Sequence, residues 1–489
     1  MNIRPVSDWT FYRYRFVIGY AILTVIAALF LTLYLNHIPP GLSENEAKSV
    51  VTSTNLQFNQ PPTNVIDLPY QALQKLSVEF FGLTPIGVRL PSLVFAGLAV
   101  LFLSLLLRRW FPTNVAIVSS GVIVTSGWFL SIGRLGTPFI MIPFWTSLLL
   151  LTATYVSQQT KGWRWWKVVF AFATALSLYT PFMAYFFVAA LLATISQPHL
   201  RYLLRESNAT NVSIGTFFFV AVLAPLGWGV YNNWTVIRDL LGIPAQLPDP
   251  LQFGADLLQA FNQLFNPFIV PASELVLPLT SLGVTVILLI GLIRLLTDFH
   301  SVRAYMLLIW LAILLPIIGF NPDNLTVLFV PLMLLVAIGL YSLVRYWYRL
   351  FPRNPYARVF GLLPIAILLA SILHFNYDRY FFYMLYSPQA AKVYQSDPFL
   401  AQQTIAETKP TEPVTVVAPE EKQPIYQILE TRPNIQVTPP SQANTGRAGT
   451  WIVAESEVKK LAPVVLSAPK ELIVNDHTED ALRFRVYQR

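Results

Sequence analysis

Long apolar runs dominate this sequence and restrict what it can fold into. Eleven segments come close to the roughly 17–25 apolar residues that a transmembrane helix needs. Only 12% of the 489 residues are charged, half of the roughly 25% typical of soluble domains. A soluble enzyme, a disordered chain and a fibrous repeat are therefore excluded. The predicted spans are 14–35, 90–107, 113–132, 137–157, 164–179, 181–197, 212–231, 277–297, 303–320, 324–345 and 357–375.

The pair of spans that meets at Tyr179-Thr180-Pro181 is open to two interpretations, two short helices or one kinked helix. Basic residues favour the count of eleven, because they then collect in alternate loops, as with Arg108 and Arg109. By the positive-inside rule the N-terminus is cytoplasmic and the C-terminal domain extracytoplasmic. We predict a multi-pass cell-membrane protein whose net charge of +8 comes from basic loops, with no nucleic-acid partner.

The sequence predicts a polytopic α-helical membrane domain over residues 1–375 and a soluble extracytoplasmic α/β domain over 376–489. The membrane domain has a first outer loop at 36–89 and a second large outer loop at 232–276. Apolar spacing predicts an amphipathic surface helix over 67–81 and a short helix near 251–265. The predicted strands of the C-terminal domain are 414–418, 435–438, 450–454, 470–474 and 482–487, and its predicted helical stretches are 387–408, 421–430 and 455–461.

Two carboxylates, Glu44 and Glu46, lie at the start of the first outer loop, and they allow two interpretations. At a membrane-surface cavity, one could act as a general base while the other orients an acceptor or holds a divalent cation. Alternatively, Ser43 and Glu46 form an S-x-x-E capping box, and both acids stabilise a helix N-terminus. The residues alone leave both interpretations open.

Several motifs between residues 15 and 200 resemble GT-C-fold membrane glycosyltransferases of the protein-mannosyltransferase and aminoarabinose-transferase type. The first loop begins with Pro-Pro-Gly-Leu and a short acidic cluster at 39–46. The other matching motifs are Leu68-Pro69-Tyr70, Phe81-Gly82, Arg89-Leu90-Pro91-Ser92, Ser131-Ile132-Gly133-Arg134 and Leu176-Ser177-Leu178-Tyr179-Thr180, with a fainter echo at 330–340.

The resemblance implies an inverting glycosyltransferase. Such an enzyme moves a sugar from a polyprenyl-phosphate donor to an envelope acceptor, which is a glycolipid, a polysaccharide or a protein. It also implies catalytic roles at Glu46, Glu44 and Asn45. The family usually has Asp-Glu where this chain has Asn45-Glu46, and an Asn cannot accept a proton at neutral pH. Either Glu44 or Glu46 is then the base, or an anionic acceptor needs none, or the protein is inactive.

Basic residues on the predicted outer face suit a donor that carries a phosphate leaving group. We expect Arg134, Arg89, Lys48 and Tyr70 to bind substrate, because Arg neutralises phosphate in bidentate geometry. Arg89 is equally compatible with a structural position at the start of its span. No cofactor is indicated, and the absence of cysteine excludes a thiolate metal site. We expect Glu46→Gln and Arg134→Ala to abolish transfer and leave folding intact.

Two other functions fit parts of the sequence. Asn45 favours a non-catalytic relative that binds lipid-linked glycans or scaffolds cell-envelope assembly. A transporter fits less well, since charged residues that would mark a path are missing from the centres of the predicted spans. An enzyme is expected to gather Glu44, Glu46 and Arg134 around one outer pocket.

Overall fold

A computed structural model describes most of the chain, and all structural statements below concern this part. The described residues are 10–57, 64–159, 162–198, 201–202, 209–244, 246–266, 279–320, 322–350, 355–387, 390, 393–394, 397–430, 433–443, 448–458, 460–461, 469–474 and 482–488.

Helices form most of residues 10–386, as the long apolar runs predict. In chain order they are α1 (Thr10–Thr32), α2 (Glu44–Thr54), α3 (Leu68–Phe81), α4 (Pro85–Trp110), α5 (Thr113–Thr125), α6 (Gly127–Arg134), α7 (Met141–Ser157), α8 (Trp163–Ser177), α9 (Met183–Ser196), α10 (Ala209–Asn232), α11 (Thr235–Leu241), α12 (Pro250–Phe265), α13 (Leu282–Thr297), α14 (Val302–Phe320), α15 (Phe329–Leu350) and α16 (Pro355–Tyr377). Short 3-10 segments at Pro138–Ile140 and Pro322–Leu328 lead into α7 and α15.

Each predicted span falls on helical chain. Seven described helices are long and apolar enough to cross a membrane, and an eighth crossing results if the bent pair α5 and α6 is one span. The two members of that pair meet at 62°. Three shorter apolar helices, α8, α9 and α13, coincide with the remaining predicted spans, although residues 277–278 of one prediction lie outside the described residues. The multi-pass membrane fold is confirmed, and the count of eleven stays a prediction.

The helix that ends the membrane domain is longer than its sequence predicts. We placed its end at 375, but α16 continues through a wider turn at Asp378–Tyr383 and a last turn at Met384–Tyr386. Apolar and aromatic residues continue past Tyr377, so hydropathy falls only gradually there. The domain boundary at 375 therefore stays a prediction.

The C-terminal region folds around a five-stranded sheet. Its helices are α17 (Asp397–Glu407), α18 (Gln423–Gln427) and α19 (Glu455–Val458), and residues 388–389, 391–392 and 395–396 of the first predicted helical stretch lie outside the described residues. All five predicted strands are confirmed within one residue, as β1 (Val414–Val417), β2 (Ile435–Thr438), β3 (Thr450–Ala454), β4 (Glu471–Val474) and β5 (Leu482–Gln488). The order is β2-β1-β3-β5-β4, in which β1, β2 and β3 are parallel and β5 is antiparallel to both neighbours.

This sheet packs directly on the first outer loop. Leu42, Val50 and Val78 of that loop share one hydrophobic core with Ala401 and Val416 of the C-terminal region. The other side of α3 leaves a row of apolar side chains exposed, namely Leu73, Leu76 and Phe80. This confirms the predicted amphipathic helix over 67–81, whose apolar face is free to contact lipid.

Candidate active site

The capping box at the start of α2 forms, and it extends into a buried ion pair. The Ser43 side chain accepts a hydrogen bond from the Glu46 backbone N–H, and Glu46 Oε2 accepts one from the Ser43 N–H at 3.0 Å. Glu46 Oε1 also accepts hydrogen bonds from Arg89 Nε at 3.0 Å and from the Gly136 N–H at 2.6 Å. Both charged side chains are fully buried. This carboxylate is therefore surrounded by protein donors.

Two buried arginines hold the chain that leads into α2. Arg89 donates to the carbonyl oxygens of Pro39 at 3.1 Å and Leu35 at 3.3 Å. Arg134 donates to three carbonyls at the end of α1 and beyond it, those of Phe30 at 2.9 Å, Leu33 at 2.6 Å and Ile38 at 3.0 Å. The guanidinium group of Arg134 also lies over the rings of Tyr380 and Phe381. These contacts fix the first outer loop against α4 and α6.

The other predicted site residues lie apart from this ion pair. Glu44 is exposed and pairs with Lys48 at 2.6 Å, so the two carboxylates of the cluster are not brought together. Asn45 is partly buried in the first turn of α2. Tyr70 is fully buried, and its hydroxyl lies 2.7 Å from Ser92 Oγ. The predicted gathering of Glu44, Glu46 and Arg134 around an open pocket is therefore wrong, because Glu44 faces solvent and the other two are enclosed.

A cavity of about 320 Å³ opens beside this cluster, within the range of roughly 300–1,000 Å³ typical of ligand sites. This polar cavity takes its name from four polar side chains in a mostly apolar wall, those of Asp67, Thr180, Asp239 and Asn324. Its walls come from five connections at the membrane face that carries loop 36–89. The lining residues are Asp67, Pro138, Phe139, Ile142, Thr180, Pro181, Phe182, Asp239, Gly242, Ile243, Pro244 and Asn324. Among these residues there are two carboxylates and no basic side chain.

Backbone hydrogen bonds join the segments that build the cavity. The Asp67 N–H donates to the Tyr179 carbonyl at 2.8 Å, and the Phe182 N–H donates to the Leu240 carbonyl at 2.8 Å. Gly136, two residues before the cavity wall at Pro138, donates to Glu46 and accepts from Gln74 Nε2 at 2.9 Å. The buried ion pair therefore positions one wall of the cavity without lining it.

Left-handed backbone is concentrated around this cavity. Among the described non-glycine residues only four have positive φ, and two of them line the cavity, Asp67 at 53° and Phe182 at 68°. Gly242, at 63°, is a third lining residue in this conformation. Such a conformation is costly for a bulky residue such as Phe, and it persists only where surrounding contacts fix it. Residues of this kind are typical of functional sites.

Asp67 is the buried acid of the cavity. Its side chain is 7% exposed, and its Oδ1 has no hydrogen-bond partner among the described residues. The Thr180 hydroxyl lies in the same wall, next to this carboxyl. Burial raises the pKa of the Asp67 carboxyl well above its usual range, and the neighbouring Thr180 hydroxyl offsets this only in part. Asp239 differs, because it is half-exposed and lies 3.7 Å from Arg238.

Comparison with known proteins identifies the fold of this chain. A family model described as dolichyl-phosphate-mannose-protein mannosyltransferase matches residues 68–228. The crystal structure of ArnT from Cupriavidus metallidurans in the apo state is similar over 96% of this chain and 97% of that one, with a TM-score of 0.58 at 13% identity. The chain has the GT-C fold. The same protein bound to undecaprenyl phosphate gives a TM-score of 0.59 at 12% identity, over 99% and 98% of the two chains.

Oligosaccharyltransferases of the GT-C fold are also similar. AglB from Archaeoglobus fulgidus, in complex with an inhibitory peptide and a dolichol-phosphate, gives a TM-score of 0.51 at 13% identity. The match covers 91% of this GT-C chain and 70% of AglB. No curated protein matches the chain in sequence. At these identities the comparison establishes the fold alone.

Replacing Asp67 in this GT-C protein is expected to make it more stable at neutral pH. The folded-state pKa of Asp67 is raised above its unfolded value near 3.9, so the folded state binds more protons between the two values. Stability therefore falls as pH rises through that window. Asp67→Asn should raise the melting temperature in detergent at neutral pH, and the gain should shrink towards about pH 4. An equal gain in melting temperature at both pH values would contradict the raised pKa of Asp67.

Gly242 is expected to tolerate no side chain. A methyl group there would lie 2.0 Å from Cε1 of Phe182, and the left-handed backbone already disfavours any residue but glycine. Gly242→Ala should lower the free energy of unfolding by about 2 kcal/mol or more. Gly254→Ala is the control, because nothing lies within 4 Å of its added methyl group in α12. Chemical unfolding of both variants in detergent checks this, and equal stabilities would contradict it.

Proposed function

We propose that this protein is a membrane glycosyltransferase that moves a sugar from a polyprenyl-phosphate donor to an envelope acceptor. The observation that carries the proposal is the GT-C fold over nearly the whole chain, together with a polar cavity at one membrane face. Fold alone does not set function, and the chemistry of the cavity and of the groove beside it adds support.

The ligands bound in the similar structures support the donor class. One structure of ArnT holds undecaprenyl phosphate, and the structure of AglB holds a dolichol-phosphate. Both ligands are polyprenyl phosphates. We infer that this chain takes a lipid of the same class. The peptide in the AglB complex supports a protein acceptor, whereas the sequence leaves glycolipid and polysaccharide acceptors equally open.

An apolar groove next to the cavity supports a lipid-linked donor. The groove has a volume of about 350 Å³ and lies between α8, α9, α10 and α11. Its lining residues are Leu178, Thr180, Ala184, Leu223, Leu226, Gly227, Val230, Ile237, Leu240 and Leu241. Thr180 belongs to both the groove and the polar cavity. In this proposal the isoprenoid chain lies in the groove, and the sugar reaches the cavity past Thr180.

The roles that the sequence indicates for single residues stay predictions. These are direct catalytic roles for Glu46, Glu44 and Asn45, and substrate binding by Arg134, Arg89, Lys48 and Tyr70. The observed contacts favour an indirect role for three of them, Glu46, Arg89 and Arg134. We propose that these three position loop 33–46 and the cavity wall at 136–138.

Donor turnover tests the proposed function. Purified protein in nanodiscs is incubated with a panel of polyprenyl-phosphate hexoses and pentoses, with and without envelope lipids and peptides as acceptors. Mass spectrometry follows loss of the donor and appearance of free polyprenyl phosphate. We expect release with at least one donor, faster when an acceptor is present. Absence of turnover with every donor would overturn the proposal.

The second candidate is a non-catalytic relative that binds lipid-linked glycans or scaffolds envelope assembly. Asn45 at the position of the family's Asp, and the enclosure of Glu46 by protein donors, favour it. It predicts saturable binding of a polyprenyl-phosphate sugar without release of free polyprenyl phosphate. The nanodisc experiment therefore distinguishes the two functions.

A further inference from the structure

We propose that Asp67 is the proton acceptor of the transfer step, and that its carboxylate faces an uncharged acceptor hydroxyl in the polar cavity. This inference rests on the proposed function and deepens it, since it names the group that replaces the missing acid at Asn45. Asp67 lies in the same outer loop as Asn45, but further along the chain, where α3 begins.

The usual structural roles of an Asp at this position are not filled. Asp67 precedes the first turn of α3, where Asp commonly accepts a hydrogen bond from the helix N-terminus, yet its side chain makes no such bond. Among the described residues it has no ion-pair partner, and its Oδ1 has no hydrogen-bond donor. A buried carboxylate oxygen without a partner costs stability. The position is therefore better explained by a ligand than by folding.

The backbone fixes the direction of this side chain. Asp67 is held in the left-handed conformation, and its N–H is bonded to the Tyr179 carbonyl of the neighbouring loop. The residue that follows Tyr179 is Thr180, which lies in the wall of both the cavity and the apolar groove. The carboxylate thus lies where a sugar on a groove-bound lipid would enter the cavity.

Burial suits this acid to proton transfer. A general base works best when its pKa lies near the operating pH, and an exposed Asp is too weak a base for that. Burial raises the pKa of Asp67, and no basic residue among those lining the cavity opposes the effect. The same wall composition selects the substrate group. Asp239 is paired with Arg238, so the uncompensated carboxylate of the wall is that of Asp67, which repels an anionic acceptor and accepts a hydrogen bond from a hydroxyl.

The step balances with the residues and substrates named. The acceptor oxygen attacks the anomeric carbon of the donor and forms the new glycosidic bond. The bond from that carbon to the phosphate oxygen breaks, and its electron pair leaves with the polyprenyl phosphate, which gains one negative charge. The acceptor proton passes to the Asp67 carboxylate, which becomes neutral. Donor phosphodiester and ionised Asp67 thus become phosphomonoester and protonated Asp67, with total charge unchanged.

Asp67→Asn tests this role with little risk to the fold. Asn has nearly the same shape and also tolerates left-handed backbone, and no cap hydrogen bond is lost. Release of polyprenyl phosphate is measured in nanodiscs across a pH series for the wild type, Asp67→Asn and a matched control, Asp298→Asn. Asp298 is an exposed acid paired with Arg294 at the end of α13, and it does not line the polar cavity.

We expect Asp67→Asn to lower kcat by about 10²–10⁴-fold. We also expect it to remove the loss of activity at acid pH, with KM for the donor preserved and a melting temperature no lower than that of the wild type. Asp298→Asn should keep the wild-type profile. Wild-type kcat and pH profile in Asp67→Asn would overturn the role of Asp67 and leave the proposed function standing. A wild-type protein that is inactive with every donor would overturn both.

Discussion

Glu46→Gln is expected to destabilise the protein strongly before any effect on chemistry can be seen. The substitution removes the charge that compensates Arg89, and both side chains are completely buried. Removing one partner of a buried ion pair typically costs about 3–5 kcal/mol, because the remaining charge is left in a low-dielectric interior. The contacts thus argue against the expectation that Glu46→Gln leaves folding intact. Unfolding in detergent, compared with the wild type, measures the loss.

Two further variants sharpen this prediction. Replacing both partners, as Glu46→Gln with Arg89→Met, should recover much of the lost stability, because no unpaired charge then stays buried. Glu44→Gln should leave the melting temperature unchanged, since Glu44 and Lys48 are exposed. If Glu46→Gln is as stable as Glu44→Gln and nevertheless lacks transfer, a direct catalytic role for Glu46 would be supported and the positioning role rejected.

Patterns that are local in sequence predicted the fold well. The apolar runs located the long helices of the membrane domain, because in a bilayer the backbone must satisfy its own hydrogen bonds as helix. The segments Val414–Val417 and Ile435–Thr438 are also predicted correctly as strands, because β-branched residues favour strands. The S-x-x-E pattern at Ser43 also gave its capping box correctly. The pattern does not reveal the ion-pair partner of Glu46, because Arg89 lies 43 residues further along the chain.

The cavity could not be found from the sequence, because its walls come from separate loops. Asp67, Thr180, Asp239 and Asn324 are far apart along the chain, and each belongs to a different connection. No motif links them, and the sequence predicts Asp67 only as the start of a surface helix. One local signal was available: an Asp directly before Leu68-Pro69 that is flanked by apolar residues is costly unless it faces a polar site. Its meaning depends on the neighbouring loops.

Arg134→Lys is expected to reduce stability by about 3 kcal/mol, even though the charge is retained. One ammonium group cannot reach the carbonyls of Phe30, Leu33 and Ile38 together, so buried acceptors are left without donors. Stacking on Tyr380 and Phe381 is lost as well. Transfer should fall in proportion to the folded fraction, with KM for the donor unchanged.

Thermal shift in the presence of a polyprenyl-phosphate sugar separates this positioning role from direct phosphate binding. A ligand that binds the folded state raises its melting temperature. If Arg134 only holds the first outer loop, donor should stabilise Arg134→Lys as much as the wild type. A donor-induced shift that disappears in Arg134→Lys would instead place the phosphate on this guanidinium. The expected result is an equal shift, because Arg134 is fully buried and its terminal nitrogens are already bonded to the carbonyls around the end of α1.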